Sequence, residues 1–347
     1  MAISTAVYYP QEWRVGIAEE ATFGTAITVQ ASFKELEITE PSQIDYAGIV
    51  RDERKRADGK RVKAYTDIYL DEEGGADGYT CTVGGLLTDL TADLLLFGNI
   101  QDLVSEAATT PYLKTFEWDG STDGDNSGSP YKFFTLDLHD PIAAQSVELK
   151  TCVIKTLTIT SDPGTNGGRG SFSAVFWTGF KPTRGLGTAT APGSWTAPGT
   201  DYYVHQLLNT KTVAAADVVV GSFSLTFENN VQRIGFDSSG DPQAYVFPMF
   251  DLTGEVSVKY DANTDQEIDK FILNPEGGSA ESAIVMQWGD GTADGTLLFR
   301  VNAIYTGAPS KSFEDKGTFI TLPFQGVDDG TNEVIDVLIA NAIDRTW

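Results

Sequence analysis

Histidine, cysteine and methionine are scarce in this chain of 347 residues, which holds two, two and three of them. With only His139 and His205, histidine-based acid–base chemistry has little to work with, and both are expected to be structural or surface residues. Cys81 and Cys152 fit no zinc-ligand spacing. Each sits in a strand-like stretch and is expected to be a buried thiol; a disulfide would need an oxidising compartment. No Gly-x-Ser-x-Gly elbow, Gly-x-x-x-x-Gly-Lys-Ser/Thr loop or His-Glu-x-x-His helix occurs, so hydrolase, P-loop and zincin chemistry have no motif to rest on. No catalytic residue and no cofactor is therefore expected, and the chain is read as a non-enzyme.

Long apolar runs are missing too. The strongest, Leu94 to Phe97, is far below the roughly 18 residues of a membrane span, so no membrane anchor is expected. The opening MAISTAVYYPQEWRVGIAEE lacks a basic start, an apolar stretch and a small-residue cleavage site, as expected of a protein made in a cytoplasm without signal-peptide export. Positive charge is the last shortage. Lys and Arg number 24 against 49 Asp and Glu, for a net charge of -25. A surface this acidic repels phosphate and does not hold nucleic acid by electrostatics.

What is present is a core and a period. Hydrophobic residues make up 41% and aromatics 11% of the chain, too many for disorder. Period-two alternation dominates: Phe223, Leu225 and Phe227; Val256, Val258 and Tyr260; Leu157 and Ile159; Leu136 and Leu138, alternating with Thr135, Asp137 and His139; Phe172, Ala174 and Phe176; Ile320, Leu322 and Phe324. Such strands suit antiparallel sheets packed on one face. Gly- and Asp-rich stretches at Ser161 to Gly170, Asp237 to Asp241 and Gly289 to Gly295 mark turns. Helices are expected at Thr88 to Phe97, closed by Gly98, and after a capping box at Thr264–Glu267, closed by Asn274-Pro275. Val334 to Ile343 suits either state and is read as a strand.

One domain over 1–347 is expected, with insertions or arms at about 100–140 and 181–215. Within them, residues 118–130 are polar and Gly/Ser/Asp-rich, and residues 181–202 lack periodicity. Asp123 to Gly128 follows the start of an EF-hand loop, but Phe134 stands where the bidentate Glu should be; a solvated turn is the expectation and no metal is assigned.

The distinctive charge feature is Arg51, Arg54, Lys55, Arg56, Lys60, Arg61 and Lys63, seven of the 24 basic residues within thirteen positions. Strand-like stretches at Ile44 to Val50 and Val62 to Leu70 place this cluster at the tip of a long hairpin. It is either a solvated tip or a basic finger reaching an acidic surface. In so acidic a chain the nearest acidic surface is another copy, and such complementarity sets register and specificity. A nucleic-acid finger fits less well, because no aromatic residues interleave the charges.

Together these features resemble the phage tail tube (major tail protein) family. The resemblance rests on Val15-Gly-Ile-Ala-Glu-Glu-Ala-Thr-Phe-Gly-Thr25 followed by the charged hairpin. It also rests on Lys155 to Ser161 with Gly170 to Gly179, and on Phe223 to Val231 with Leu252 to Asp261 and the short helix after it. It covers roughly residues 13–70 and 150–326. The resemblance implies an antiparallel β-sandwich or partial barrel of the tail-tube type, with one or two short helices and a long charged hairpin. It implies homo-hexameric rings stacked into a hollow conduit in the virion tail, assembled in the host cytoplasm, with the seven basic residues in an inter-ring stacking loop. Tape measure, tail tip or baseplate and tail terminator proteins are the implied partners, with a contractile sheath in some members and double-stranded DNA passing unbound during ejection. Two alternatives stay open: another self-assembling phage part, such as a terminator or decoration protein, or a carbohydrate-binding β-sandwich or adhesin using its Trp and Tyr residues.

Overall fold

In the computed structural model, residues 12–39, 42–45, 50–53, 68–71, 78–100, 103–107, 109–118, 132–142, 145–185, 191–238, 241–273, 282–314, 317–328 and 333–343 are described. The fold is mainly β, built of antiparallel sheets with two α-helices.

In chain order the first strands are β1 (Arg14–Glu20), β2 (Lys34–Leu36), β3 (Gln43–Asp45), β4 (Val50–Glu53), β5 (Ile68–Asp71) and β6 (Tyr79–Leu86), followed by helix α1 (Asp89–Ile100). Next come β7 (Leu103–Glu106), β8 (Tyr112–Trp118), β9 (Phe133–His139), β10 (Val147–Ser161), β11 (Ser171–Thr178), β12 (Thr183–Arg184), β13 (Leu208–Val213), β14 (Ala216–Asp217), β15 (Val220–Asn229), β16 (Gln232–Phe236), β17 (Pro242–Val246) and β18 (Phe250–Lys259). Helix α2 (Ala262–Leu273) precedes β19 (Ser282–Trp288), β20 (Thr296–Tyr305), β21 (Ser310–Glu314), β22 (Gly317–Gly326) and β23 (Ile335–Asn341).

One layer runs β3–β6–β11–β10–β15–β18–β22. A second runs β14–β13–β19–β20–β23–β8–β7. The layers are joined where the end of β20 meets β22 and face each other through large rings. Phe223 of β15 lies 5.6 Å from Trp288 of β19, and Phe250 of β18 lies 4.5 Å from Trp118 of β8, between ring centroids. That is a sandwich-like build, with the inner faces holding the alternating apolar residues. On β15, Phe223, Leu225 and Phe227 are all buried, as their spacing predicts. A single apolar cluster extends from Val15 to Ile339.

A third sheet, β2–β1–β9–β10–β12, shares β10 with the first layer. The transfer happens at Thr151, whose φ of 53° accompanies a register shift between Leu149 and Cys152. A bulge bends a long strand and lets its halves serve two sheets.

Several expectations change at this level. Helix α1 continues past Gly98 to Ile100. Gly98 is used for space, since a Cβ there would stand 2.6 Å from the Phe134 ring. The box at the start of α2 is Asp261 with Thr264: the Thr264 N–H donates to Asp261 Oδ1 at 3.1 Å, and the Asp261 N–H donates to Thr264 Oγ1 at 2.8 Å. Glu267 instead accepts from Ser282 and Lys270. The run from Val334 to Ile343 contains a strand, as read from the sequence, wedged between β20 and β8. Within 100–140, β8 and β9 pair into the sheets, with Phe116, Phe134 and Leu136 fully buried. In 181–215, β13 pairs with β19.

Candidate functional site

Of the hairpin expected with strands at Ile44 to Val50 and Val62 to Leu70, two short ladders lie within the described residues. β3 pairs with β6, matching Gln43 to Thr82, and in a separate two-stranded sheet β4 pairs with β5, matching Val50 to Asp71 and Glu53 to Ile68. Arg51 lies on β4 opposite Leu70. Arg54, Lys55, Arg56, Lys60, Arg61 and Lys63 lie outside the described residues, as does the Asp123–Gly128 stretch. Among the described residues no group of three or more His, Cys, Asp or Glu side chains is disposed to hold a metal, and no helix is long and apolar enough to cross a membrane.

Cys81 and Cys152 are free and fully buried. Burial pushes the Cys81 thiol up to about 12, which removes the thiolate that reactivity requires. His205 is buried, with Nδ1 2.9 Å from Ser161 Oγ and Nε2 3.1 Å from the Val220 carbonyl. A carbonyl only accepts, so Nε2 carries the proton and Nδ1 accepts from Ser161. Both ring nitrogens are used in packing β10, β15 and the turn at His205 together. His139 closes β9, and burial together with the nearby Arg14 lowers its pKa.

The polar groups that matter most were not visible as a site in the sequence. The first set fixes the β10 bulge. Glu20 is buried, and its Oε1 accepts from the Thr151 N–H and from Thr135 Oγ1, both at 2.7 Å, while its Oε2 accepts from Thr151 Oγ1 at 2.9 Å. Burial raises its pKa and these hydrogen bonds oppose the rise. The carboxylate satisfies the N–H that the bulge removes from the ladder.

The second set lies on the same sheet, under the aperiodic stretch after residue 181. Trp195 stacks on Phe33, with centroids 6.0 Å apart, and its Nε1 donates to Gln30 Oε1 at 2.8 Å. The Ala191 N–H reaches the same oxygen at 2.9 Å, and Gln30 Nε2 donates to Asp137 Oδ2 at 3.3 Å. Gly16 makes room for the indole, which would stand 3.0 Å from a Cβ there. Asp137 is 2% exposed and directly opposite Glu148 in the ladder. Burial pushes its pKa up to about 7, with Glu148 adding to the rise and the Gln30 hydrogen bond opposing it. The sequence pattern places Thr135 and Asp137 on a solvent face. Here both are buried, because Gln30, Phe33 and Trp195 cover the second face of the sheet.

The third set joins α1, β8 and β23. Lys114 is fully buried, and its Nζ donates to Asp93 Oδ2 at 2.9 Å, Asn341 Oδ1 at 3.0 Å and the Ile343 carbonyl at 2.7 Å. The signal was legible in principle: in Tyr112, Lys114, Phe116 and Trp118 a lysine occupies one position of an otherwise aromatic alternation. A cavity of about 320 Å³ opens on the neighbouring face between Glu117, Arg300, Glu333 and Asp336, where Arg300 Nη1 and Asp336 Oδ2 are 2.9 Å apart.

No protein-family model matches this chain, and no curated protein matches its sequence.

Proposed function

We propose that this chain is the structural subunit of a phage tail tube, closing into hexameric rings that stack into a hollow conduit with an acidic lumen for viral DNA. The observation that carries this reading is the β4–β5 ribbon. It pairs Val50–Glu53 with Ile68–Asp71, the two segments that along the chain flank most of the basic cluster of a chain whose net charge is -25. A basic finger on an acidic subunit is complementary to the body of another copy. The sheets support the same reading, since among the described residues β3 pairs only with β6 and β21 only with β22. Unpaired strand edges invite association, and closed rings pair them. The excess of carboxylates repels phosphate, so DNA passes along such a lumen without adhering. In this role the subunit belongs to the virion tail and meets tape measure, tip and terminator proteins at the ends of the tube.

The test is electron microscopy of the purified protein across a concentration series, with and without tail-tip components. Hollow tubes or six-fold rings are expected. The variant with Arg54, Lys55, Arg56, Lys60 and Arg61 all changed to Ser is expected to keep its circular dichroism spectrum and lose ring stacking. Normal tubes from it would overturn the stacking role. Monomers under every condition would overturn the tube.

A further inference from the structure

We propose that Lys114 and Asn341 are the two ends of an intramolecular isopeptide bond, formed by the folded chain itself with Asp93 as its proton acceptor and donor. The inference stands independently of the tube reading.

The geometry is that of a reacting trio held away from water. Lys114 pairs with Ile339 in the β8–β23 ladder and Tyr112 pairs with Asn341, so Lys114 and Asn341 are diagonal neighbours. Such neighbours lie within reach of a long side chain. Lys114, Asp93 and Asn341 are each 0% exposed. Nζ sits 3.0 Å from Asn341 Oδ1 and 2.9 Å from Asp93 Oδ2. The Ile343 N–H also donates to Asn341 Oδ1, at 3.1 Å, and Asn341 Nδ2 points to the Asp89 carbonyl at 3.5 Å. The amide oxygen thus receives two donors, which polarises the carbonyl carbon and places a fixed backbone donor where negative charge develops.

The step balances with the groups present. The ammonium passes one proton to Asp93 along their hydrogen bond, leaving a neutral amine and a neutral acid, a pair that a dry interior penalises far less than it would two separated ions. Rotation about Cε–Nζ turns the freed lone pair to Asn341 Cγ, and the Nζ–Cγ bond forms. The intermediate carries its charge on Oδ1, opposite the Ile343 N–H. Its collapse breaks the Cγ–Nδ2 bond. One proton of the attacking amine moves by way of Asp93 to the departing nitrogen, which leaves as ammonia. The other stays on the new amide, and the proton first taken by Asp93 remains there or leaves on ammonium. No oxidant, metal or cofactor enters. Holding amine and amide at contact distance replaces a bimolecular encounter with an intramolecular one, and the burial of all three groups keeps water from the product.

Asn341 is favoured over Asp93 as the acceptor because an amide is an electrophile and a carboxylate is not. The bond would lock the last strand to β8 across a loop of 227 residues, so that β23 could not peel away under tension.

The experiment is intact-mass spectrometry of the purified full-length chain, followed by peptide mapping. A mass lower than that of the sequence by one ammonia is expected, together with a branched tryptic peptide joining the segments that hold Lys114 and Asn341. Lys114→Arg and Asn341→Ala are each expected to show the full sequence mass, which is read under denaturing conditions and does not depend on their folding. Asp93→Asn is expected to retain the full mass in its folded fraction. A full sequence mass for the wild-type chain after prolonged incubation would overturn the proposal, as would ammonia loss without the branched peptide. Loss of water with a branch at Asp93 would overturn Asn341 as the acceptor.

Discussion

The first layer and the third sheet share strand β10 yet are held by different physics. In the C-terminal half of β10 and its neighbour β15, Leu157, Ile159, Leu225 and Phe227 form an inner face of aliphatic and aromatic side chains, while the Thr residues between them are partly exposed. In the N-terminal half, in its neighbour β9 and in β1 beyond it, the covered positions include Glu20, Thr135, Asp137 and Thr151. The apolar region is stabilised by area removed from water, which is non-directional and tolerates conservative change. The polar region depends on hydrogen bonds of fixed length and direction, and loses heavily when one partner is left unmatched. One strand can serve both because the Thr151 bulge changes its neighbours, and the Glu20 carboxylate holds that bulge in place.

Four variants sharpen this contrast. Phe227→Ala is expected to destabilise by about 3–5 kcal/mol, through lost burial and the cavity left behind, as read from the urea midpoint. Glu20→Ala is expected to cost about 3 kcal/mol while removing only one methylene, because it orphans the Thr151 N–H beneath the sheet. A loss below that of an ordinary surface substitution would show that the bulge holds itself. Asp137→Asn tests the pH response. Its folded pKa of about 7 lies above the ordinary value of 3.8, so between them the folded chain binds a proton that the unfolded chain has released, and stability falls as pH rises through that window. Glu20, Glu35 and Glu148 shift in the same direction and His139 in the opposite one. The difference between wild type and variant isolates Asp137: the variant is expected to lose less stability between pH 5 and pH 8, roughly the range that brackets the raised value. Parallel curves would remove Asp137 from the account. The five-residue Ser variant of the basic cluster is expected to change stability by no more than about 1 kcal/mol while abolishing the ring stacking proposed above, so its calorimetric and microscopic readouts should separate.

The legible parts of the molecule were those governed by period and local chemistry. The alternation in β15, β18 and β22 named their buried faces correctly, the turn at Asp290 follows from an Asp that accepts the Thr292 and Ala293 N–H groups, and Asn274-Pro275 follows directly on the end of α2 at Leu273. Helix α1 was visible for the same reason. The failures share a different cause. Gly98 reads as a helix end, but its neighbours are Phe134 and Ile154, far along the chain. Asp137 reads as solvent-facing, and becomes buried through Gln30 and Trp195. Lys114 interrupts an aromatic alternation, and its three acceptors come from α1 and from the end of β23.

By itself the sequence determined an antiparallel β protein with little helix, an acidic composition, a basic cluster and no recognisable catalytic motif. These follow from side-chain period, turn residues and net charge, all properties of neighbours along the chain. Only the tertiary structure decided which polar residues lie inside and which meet: Glu20 with Thr151, Asp137 with Gln30, Lys114 with Asp93 and Asn341. Those pairings span up to 227 residues, and a buried polar group is set by whatever the fold places opposite it, a relation that no local pattern encodes.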